Sequence, residues 1–183
     1  MMKKLLFIFS ALSILLCSAC TGDQSVKLTN IEDYAKYIQW VTNSSDFMPD
    51  LVLLESSESV KVFYFNLRNP LTDTKTINLI VTYDEVEYVD AKETILSNYT
   101  FLEQPAMKYD YYTIPVVEFE YNEFTIKVVE DESFIYPKWF GMIGYSDTKK
   151  QICYMYIHDI ERDEISNTPN RMEEFTNKYF KFD

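Results

Sequence analysis

The chain has 183 residues, with 17 Lys+Arg against 29 Asp+Glu and a single His, giving a formal charge of −12 at pH 7. Phosphate backbones are bound through clustered Lys and Arg, so this balance disfavours nucleic-acid binding. One His cannot build a His-rich zinc site, and 3 glycines argue against Gly-rich nucleotide loops.

Lys3 and Lys4 give a cationic start, Leu5 to Leu16 form an apolar run, and Cys17-Ser18-Ala19-Cys20 is a small-residue exit. Charge, apolar run and small residues in that order are the plan of an export signal. The apolar run covers only about 18 Å at about 1.5 Å per residue, against about 30 Å of bilayer hydrocarbon, so it is too short to span. With Ser18 and Ala19 before Cys20, the stretch resembles the bacterial lipoprotein signal, although Cys17 stands where that family usually has Leu. The resemblance implies cleavage between Ala19 and Cys20, lipidation of Cys20, and an exported domain anchored on the extracytoplasmic side of a membrane. Two acyl chains are enough for stable attachment.

The expected division is a signal peptide over 1–19, a lipidated terminus and linker over 20–29, and one domain over 30–183. Loss of Lys3 and Lys4 with the signal makes the mature chain more acidic still. Cys17 leaves with the signal and Cys20 carries lipid, so Cys153 has no intramolecular disulfide partner. The fold must then be held by its core, for which 15 Tyr, 13 Phe and 2 Trp supply large apolar area.

Thr21 to Thr29 is polar and reads as linker. Asn30 can cap a helix in which Ile31, Tyr34, Ala35, Ile38 and Val41 recur at spacings of three and four. After polar breaks around 42–46 and 55–59, Val60 to Leu67 reads as a strand with both faces largely buried. Thr76 to Tyr83 repeats the period of two and pairs with it as a hairpin. Asp84, with Glu87 three residues on, marks a helix start, and the helix runs to about Asn98 with Val86, Val89, Leu96 and Tyr99 as its apolar face.

Thr100 to Leu102 suggests a short edge strand, and Met107 to Thr113 is ambiguous. Ile114 to Tyr121 and Phe124 to Glu130 form a hairpin through Asn122-Glu123, where Gly is the better second residue. Lys138 to Tyr145 and Lys150 to His158 form another antiparallel pair. Thr168-Pro169 opens a last helix whose apolar face is Met172, Phe175, Thr176 and Tyr179. The sum is α+β, an antiparallel sheet of about five to seven strands packed by two or three helices. This order of elements also resembles that of uncharacterised bacterial lipoproteins, a likeness that carries no activity with it.

His158 has no Gly-x-Ser-x-Gly partner and reads as a structural strand-end residue. Cys153, among Ile152, Tyr154 and Met155, reads as a buried small hydrophobe. Asp159, Glu161 and Asp163 imitate the start of a calcium loop, but Glu164 replaces its Gly and Asn170 its closing Glu. Glu118 and Glu120 share a strand face with Cα atoms about 6.5 to 7 Å apart, the range of paired glycosidase carboxylates; the wet face of a strand is the plainer use. Gly141-Met142-Ile143-Gly144 reads as a strand relaxed for tight packing.

Tyr109, Tyr111, Tyr112, Tyr121, Tyr136, Tyr145, Tyr154 and Tyr156 combine an apolar body with a polar tip, which suits interfaces and sugar stacking as well as core packing. Tyr154 and Tyr156 share a strand face and are the candidate ligand contacts. No catalytic residue, metal site or cofactor is expected. The expectation is a non-enzymatic, lipid-anchored module that binds a protein or peptide, with a cationic envelope partner suiting its charge. A glycan or small-molecule module using exposed tyrosines is the alternative, and a carboxylate-pair hydrolase a remote one.

Overall fold

A computed structural model of the chain describes residues 23–25, 34–41, 47–50, 54, 57–69, 72–108, 111–163, 165 and 171–182. Cys20, the signal segment, Tyr109 and Thr168-Pro169 lie outside these residues. The elements in chain order are β1 (Asp23–Ser25), α1 (Tyr34–Val41), β2 (Ser59–Asn69), β3 (Thr72–Thr82), α2 (Glu85–Asn98), β4 (Ala106–Lys108), β5 (Tyr111–Ile114), β6 (Glu118–Tyr121), β7 (Phe124–Val128), β8 (Trp139–Ser146), β9 (Gln151–Asp159) and α3 (Arg171–Tyr179).

Seven strands form one sheet in the order β1-β2-β3-β9-β8-β7-β6, every pair antiparallel, and β4-β5 forms a separate two-stranded ladder. The fold is therefore α+β, as composition and periodicity suggest. Asp23–Ser25, inside the stretch read as linker, instead pairs with Asn66 to Arg68 at the sheet edge. No helix among the described residues is long and apolar enough to cross a membrane.

Residues directly opposite in an antiparallel ladder share a face, so the register sorts the core into two layers. On one face Val62, Ile77, Leu79, Val81, Ile143, Ile152, Tyr154 and Tyr156 are buried, with α1, the 47–50 segment and α2 on that side. On the other, Phe63, Ile80, Met142, Cys153, Met155 and Ile157 are buried. There α3 and the tail supply Phe175 stacked on Phe140 (5.9 Å), Tyr179 against Phe65 (6.2 Å) and Phe182 against Phe124 (5.5 Å). The predicted face of α3 is the buried one: Met172, Phe175, Thr176 and Tyr179. A sheet with both faces apolar needs cover on both, which explains the near-continuous apolar run in β2.

Polar residues on the second face close the end of α3. Thr76 Oγ1 donates to the Tyr179 carbonyl (2.6 Å) and Asn78 Nδ2 to the Lys181 carbonyl (2.6 Å), satisfying acceptors left open where a helix stops. The β6–β7 turn uses Asn122 (φ 51°) and Glu123 (φ 67°), both left-handed as a two-residue hairpin turn requires. The two glycines of β8 serve close approach: a Cβ on Gly144 would stand 2.6 Å from Cys153 Sγ, and one on Gly141 2.6 Å from the Phe47 ring.

Candidate functional site

Asp84 ends β3's course and starts α2: its Oδ1 accepts from the amides of Val86 and Glu87, both at 2.8 Å. The cap is at the position expected, and the helix ends at Asn98 as expected. The face that packs differs. Tyr88 and Ile95 are buried, whereas Val86, Val89 and Leu96 are exposed, so the apolar face read from the sequence is corrected. Polar ties to the β8–β9 turn accompany this rotation. Tyr88 Oη donates to Asp147 Oδ1 (2.6 Å), Lys92 Nζ reaches the same oxygen (2.7 Å), and Lys150 Nζ reaches Glu85 Oε1 (2.8 Å). Lys92 and the Tyr88 hydroxyl hold the Asp147 carboxyl below its usual range.

With α2 held along that edge, its other side overhangs the first face of the sheet and leaves a cleft of about 620 Å³. The α2 wall is Glu87, Asp90, Ala91, Thr94, Ile95 and Asn98; Pro49 and Leu54 line it as well, together with Tyr83, Tyr99 and Tyr154. Two phenols fix the 47–50 segment: Tyr34 Oη donates to the Pro49 carbonyl (2.8 Å) and Tyr99 Oη to the Phe47 carbonyl (3.0 Å). The hydroxyls of Tyr83 and Tyr154 make no hydrogen bond among the described residues, which leaves both available to a ligand.

Burial raises the phenols of Tyr83, Tyr99 and Tyr154 above the ordinary tyrosine value. At Tyr83 the nearby Glu87 charge adds to the effect, and at Tyr154 the crowding by Tyr83, Tyr99 and Tyr34 does. All three stay neutral at physiological pH, so they offer hydroxyls that accept as well as donate a hydrogen bond rather than phenolate nucleophiles. Among the described residues that line it, two are carboxylates, Glu87 and Asp90, and none is Lys, Arg or His. Such a cleft can accept a cation through its carboxylates and phenol oxygens together.

Comparisons with family models, curated proteins and solved structures find no match.

The structure separates the two candidate tyrosines. Tyr154, 6% exposed, borders the cleft; Tyr156, 2% exposed, sits under Phe47 (6.1 Å) and Phe134 (5.9 Å), its phenol pushed up to about 12 by burial. Neither presents an open ring face. Tyr121 Oη donates to Asn177 Oδ1 (2.9 Å) and Tyr136 Oη to the Val129 carbonyl (2.6 Å), both structural bonds.

Glu118 and Glu120 lie on the exposed side of β6, as a wet strand face requires. Lys127 Nζ is 2.8 Å from Glu118 Oε2, and Thr125 Oγ1 donates to Glu120 Oε1 (2.7 Å). The described residues of the acidic loop after β9 do not gather into a calcium set. Asp159 is buried, accepting from Thr74 Oγ1 (2.7 Å) and Arg162 (3.0 Å), while Asp163 faces Lys138 (3.7 Å). His158 stacks on Trp139 with ring centroids 5.6 Å apart, and burial lowers its pKa. Cys153 is fully buried and its thiol is pushed up by desolvation.

Sequence reasoning missed most of the cleft. Glu87, Asp90, Thr94 and Asn98 recur at spacings of three, four and four, a polar helical face beginning four residues beyond Tyr83. That spacing was the available signal. The contributions of Pro49 and Leu54 depend on tertiary packing and leave no periodic trace.

Proposed function

We propose that this chain is a non-enzymatic, lipid-anchored envelope protein whose cleft beside α2 takes a cationic segment of a partner protein or peptide. The observation that carries this reading is the pairing of Glu87 and Asp90 with the neutral phenols of Tyr83 and Tyr154 in a lining that has no basic side chain among the described residues. An Arg or Lys side chain is amphipathic: its stem suits Ala91, Ile95 and Leu54, and its head suits the carboxylates and the phenol oxygens. A volume of about 620 Å³ has room for one or two such side chains. The chain's charge of −12 would gather cationic partners from a distance at low salt.

The anchor reading fits the direction of the cleft. Asp23 of β1 follows closely on Cys20 and pairs with Arg68, which itself faces Asp73 near the start of β3. Tyr83 follows the far end of β3, roughly 30 Å away at about 3.3 Å per residue. A lipid on Cys20 would hold the first end to the membrane and leave the cleft towards the other. Glycan stacking needs open ring faces, which Tyr83, Tyr154 and Tyr156 do not present.

Isothermal titration with a tri-arginine peptide tests the cleft. Binding is expected at about 0.01 M ionic strength, weakened at about 0.15 M by screening. The charge-removing pair Glu87→Gln and Asp90→Asn should abolish it. Absence of binding at low salt, or equal affinity in the double variant, overturns the reading; binding of a neutral oligosaccharide in place of the peptide replaces it. Mass spectrometry of the native protein tests the anchor, with an unmodified Cys20 thiol as the contrary result.

A further inference from the structure

Among the described residues six large apolar side chains are exposed, and three of them fall on α2: Val86 (72% exposed), Val89 (48%) and Leu96 (43%). Scattered exposed hydrophobes are ordinary, but these three lie on one side of a single helix, at helical spacing with Glu93 between them. Acid frames the strip. Glu85, Glu87, Asp90 and Glu93 belong to the same helix, and its single cation, Lys92, is drawn away to Asp147 and over the Tyr145 ring (4.3 Å). The strip is therefore apolar at three positions, interrupted by Glu93 and bordered by Asp90, while Glu85 is paired with Lys150.

Charge decides what can cover it. A second copy would set two acidic helices against each other, with like charges at every margin. An anionic bilayer meets the same repulsion, and on the anchor reading it lies at the other end of the sheet. A basic amphipathic helix satisfies both parts of the strip: apolar residues at i, i+3 and i+7 or i+10 pack on Val86, Val89 and Leu96, and flanking Lys or Arg meet Asp90 and Glu93. We infer that the outer face of α2 is the docking surface for a basic amphipathic segment of a partner protein. Asp90 lies between the strip and the cleft around the helix, so one cation of that segment can reach Asp90 from the strip side. This deepens the cleft reading by naming the partner's form, and it rests on that reading for the cationic character of the partner.

The probe is a synthetic Lys/Leu peptide as long as α2 (14 residues), with Leu on one face, compared with an isomer of the same composition with Leu scattered. Titrated into the intact mature protein, the facial peptide is expected to bind with 1:1 stoichiometry and the isomer at least about tenfold more weakly. The variant Val86→Gln, Val89→Gln and Leu96→Gln retains every charge, so loss of about tenfold or more there assigns binding to the strip rather than to general acidity. These positions are exposed and Gln is a good helix former, so the thermal transition should hold or rise. Equal affinity of the two peptides, or of wild type and triple variant, overturns the docking face. Dimerisation of the free protein, or an added affinity for anionic over neutral vesicles, that the triple variant abolishes also overturns it. If tri-arginine fails to bind while the facial peptide still depends on the strip, the cleft reading falls and the docking face stands.

Discussion

Gly141 and Phe47 fit as a pair: the ring of Phe47 lies so close over the Gly141 backbone that a Cβ there would stand 2.6 Å from Cζ. The same ring meets Tyr99 (6.0 Å), Phe134 (5.8 Å) and Tyr156 (6.1 Å), and the Phe47 carbonyl accepts the Tyr99 hydroxyl. Gly141 thus seats the segment that supplies Pro49 to the cleft. Gly141→Ala should destabilise the fold by about 1–3 kcal/mol through overpacking, and Phe47→Ala by about 3–5 kcal/mol through the cavity it leaves. Because the two side chains compete for one space, the double variant should cost less than the sum. Urea denaturation of all four proteins checks this, and strict additivity would contradict the contact.

Asp159 and Arg162 are a second load in the fold, with side chains 4% and 14% exposed and a 3.0 Å contact. The Arg162 guanidinium also lies over Tyr179 (4.5 Å) and Phe175 (5.2 Å), joining the end of β9 to α3. Asp159→Ala leaves that guanidinium short of its partner and strips Thr74 of its acceptor, and should cost about 3 kcal/mol or more. Glu161→Ala, on an exposed neighbour, should change stability by under about 0.5 kcal/mol. A similar effect at both positions in chemical denaturation would remove the structural role given to Asp159.

Alkaline titration reads the buried phenols directly. Burial pushes Tyr64, Tyr136 and Tyr156 up to about 12, and raises Tyr83, Tyr99 and Tyr154 as well, whereas tyrosines in an unfolded chain ionise near about 10. The unfolded state therefore releases its protons first. The stability contributed by these neutral phenols is complete below about pH 10 and is lost as pH rises towards 12. Phenolate absorbance should rise steeply together with loss of far-ultraviolet dichroism. A smooth titration near pH 10 with the fold intact would contradict the burial of these rings.

His158 gives the opposite sign at the acid end. Burial, then the Lys75 charge, lowers its pKa from the model-peptide value of 6.5, so the unfolded chain binds the proton more readily than the native one. The contribution is present above about pH 6.5 and is lost as pH falls through the lowered value. Denaturation midpoints of wild type and His158→Gln, compared between about pH 7.5 and about pH 5, should converge towards the lower pH. Parallel curves would show that the imidazole titrates alike in both states.

The strands were legible because their alternation is strong and their partners close: Val62 against Leu79 and Ile143 against Tyr154 lie in ladders joined by short connections or adjacent in the sheet. Asp84 was legible for a local reason, since a cap acts on amides two and three residues away. The face of α2 was not. Val86, Val89 and Leu96 compete with Tyr88, Ala91 and Ile95 for the status of apolar stripe, and what favours the second set is tertiary: the burial of Tyr88 and Ile95, with Tyr88 and Lys92 reaching Asp147 more than fifty residues on. Rotating that helix also moves Glu87 and Asp90 to the cleft, so one misjudged face hid the site. Tyr154 and Tyr156 share a strand face, as alternation requires, but their exposure depends on Phe47 and α2, which periodicity within β9 cannot report.

Amide chemical-shift mapping of the intact mature protein with tri-arginine is the most direct test of the acidic cleft as a binding site. Saturable shifts are expected that centre on Tyr83, Glu87, Asp90, Thr94, Asn98 and Tyr154 and leave Glu118, Glu120 and the Asp159 loop unmoved. Shifts spread evenly over the acidic surface, or centred on β6 or the end of β9, would contradict it.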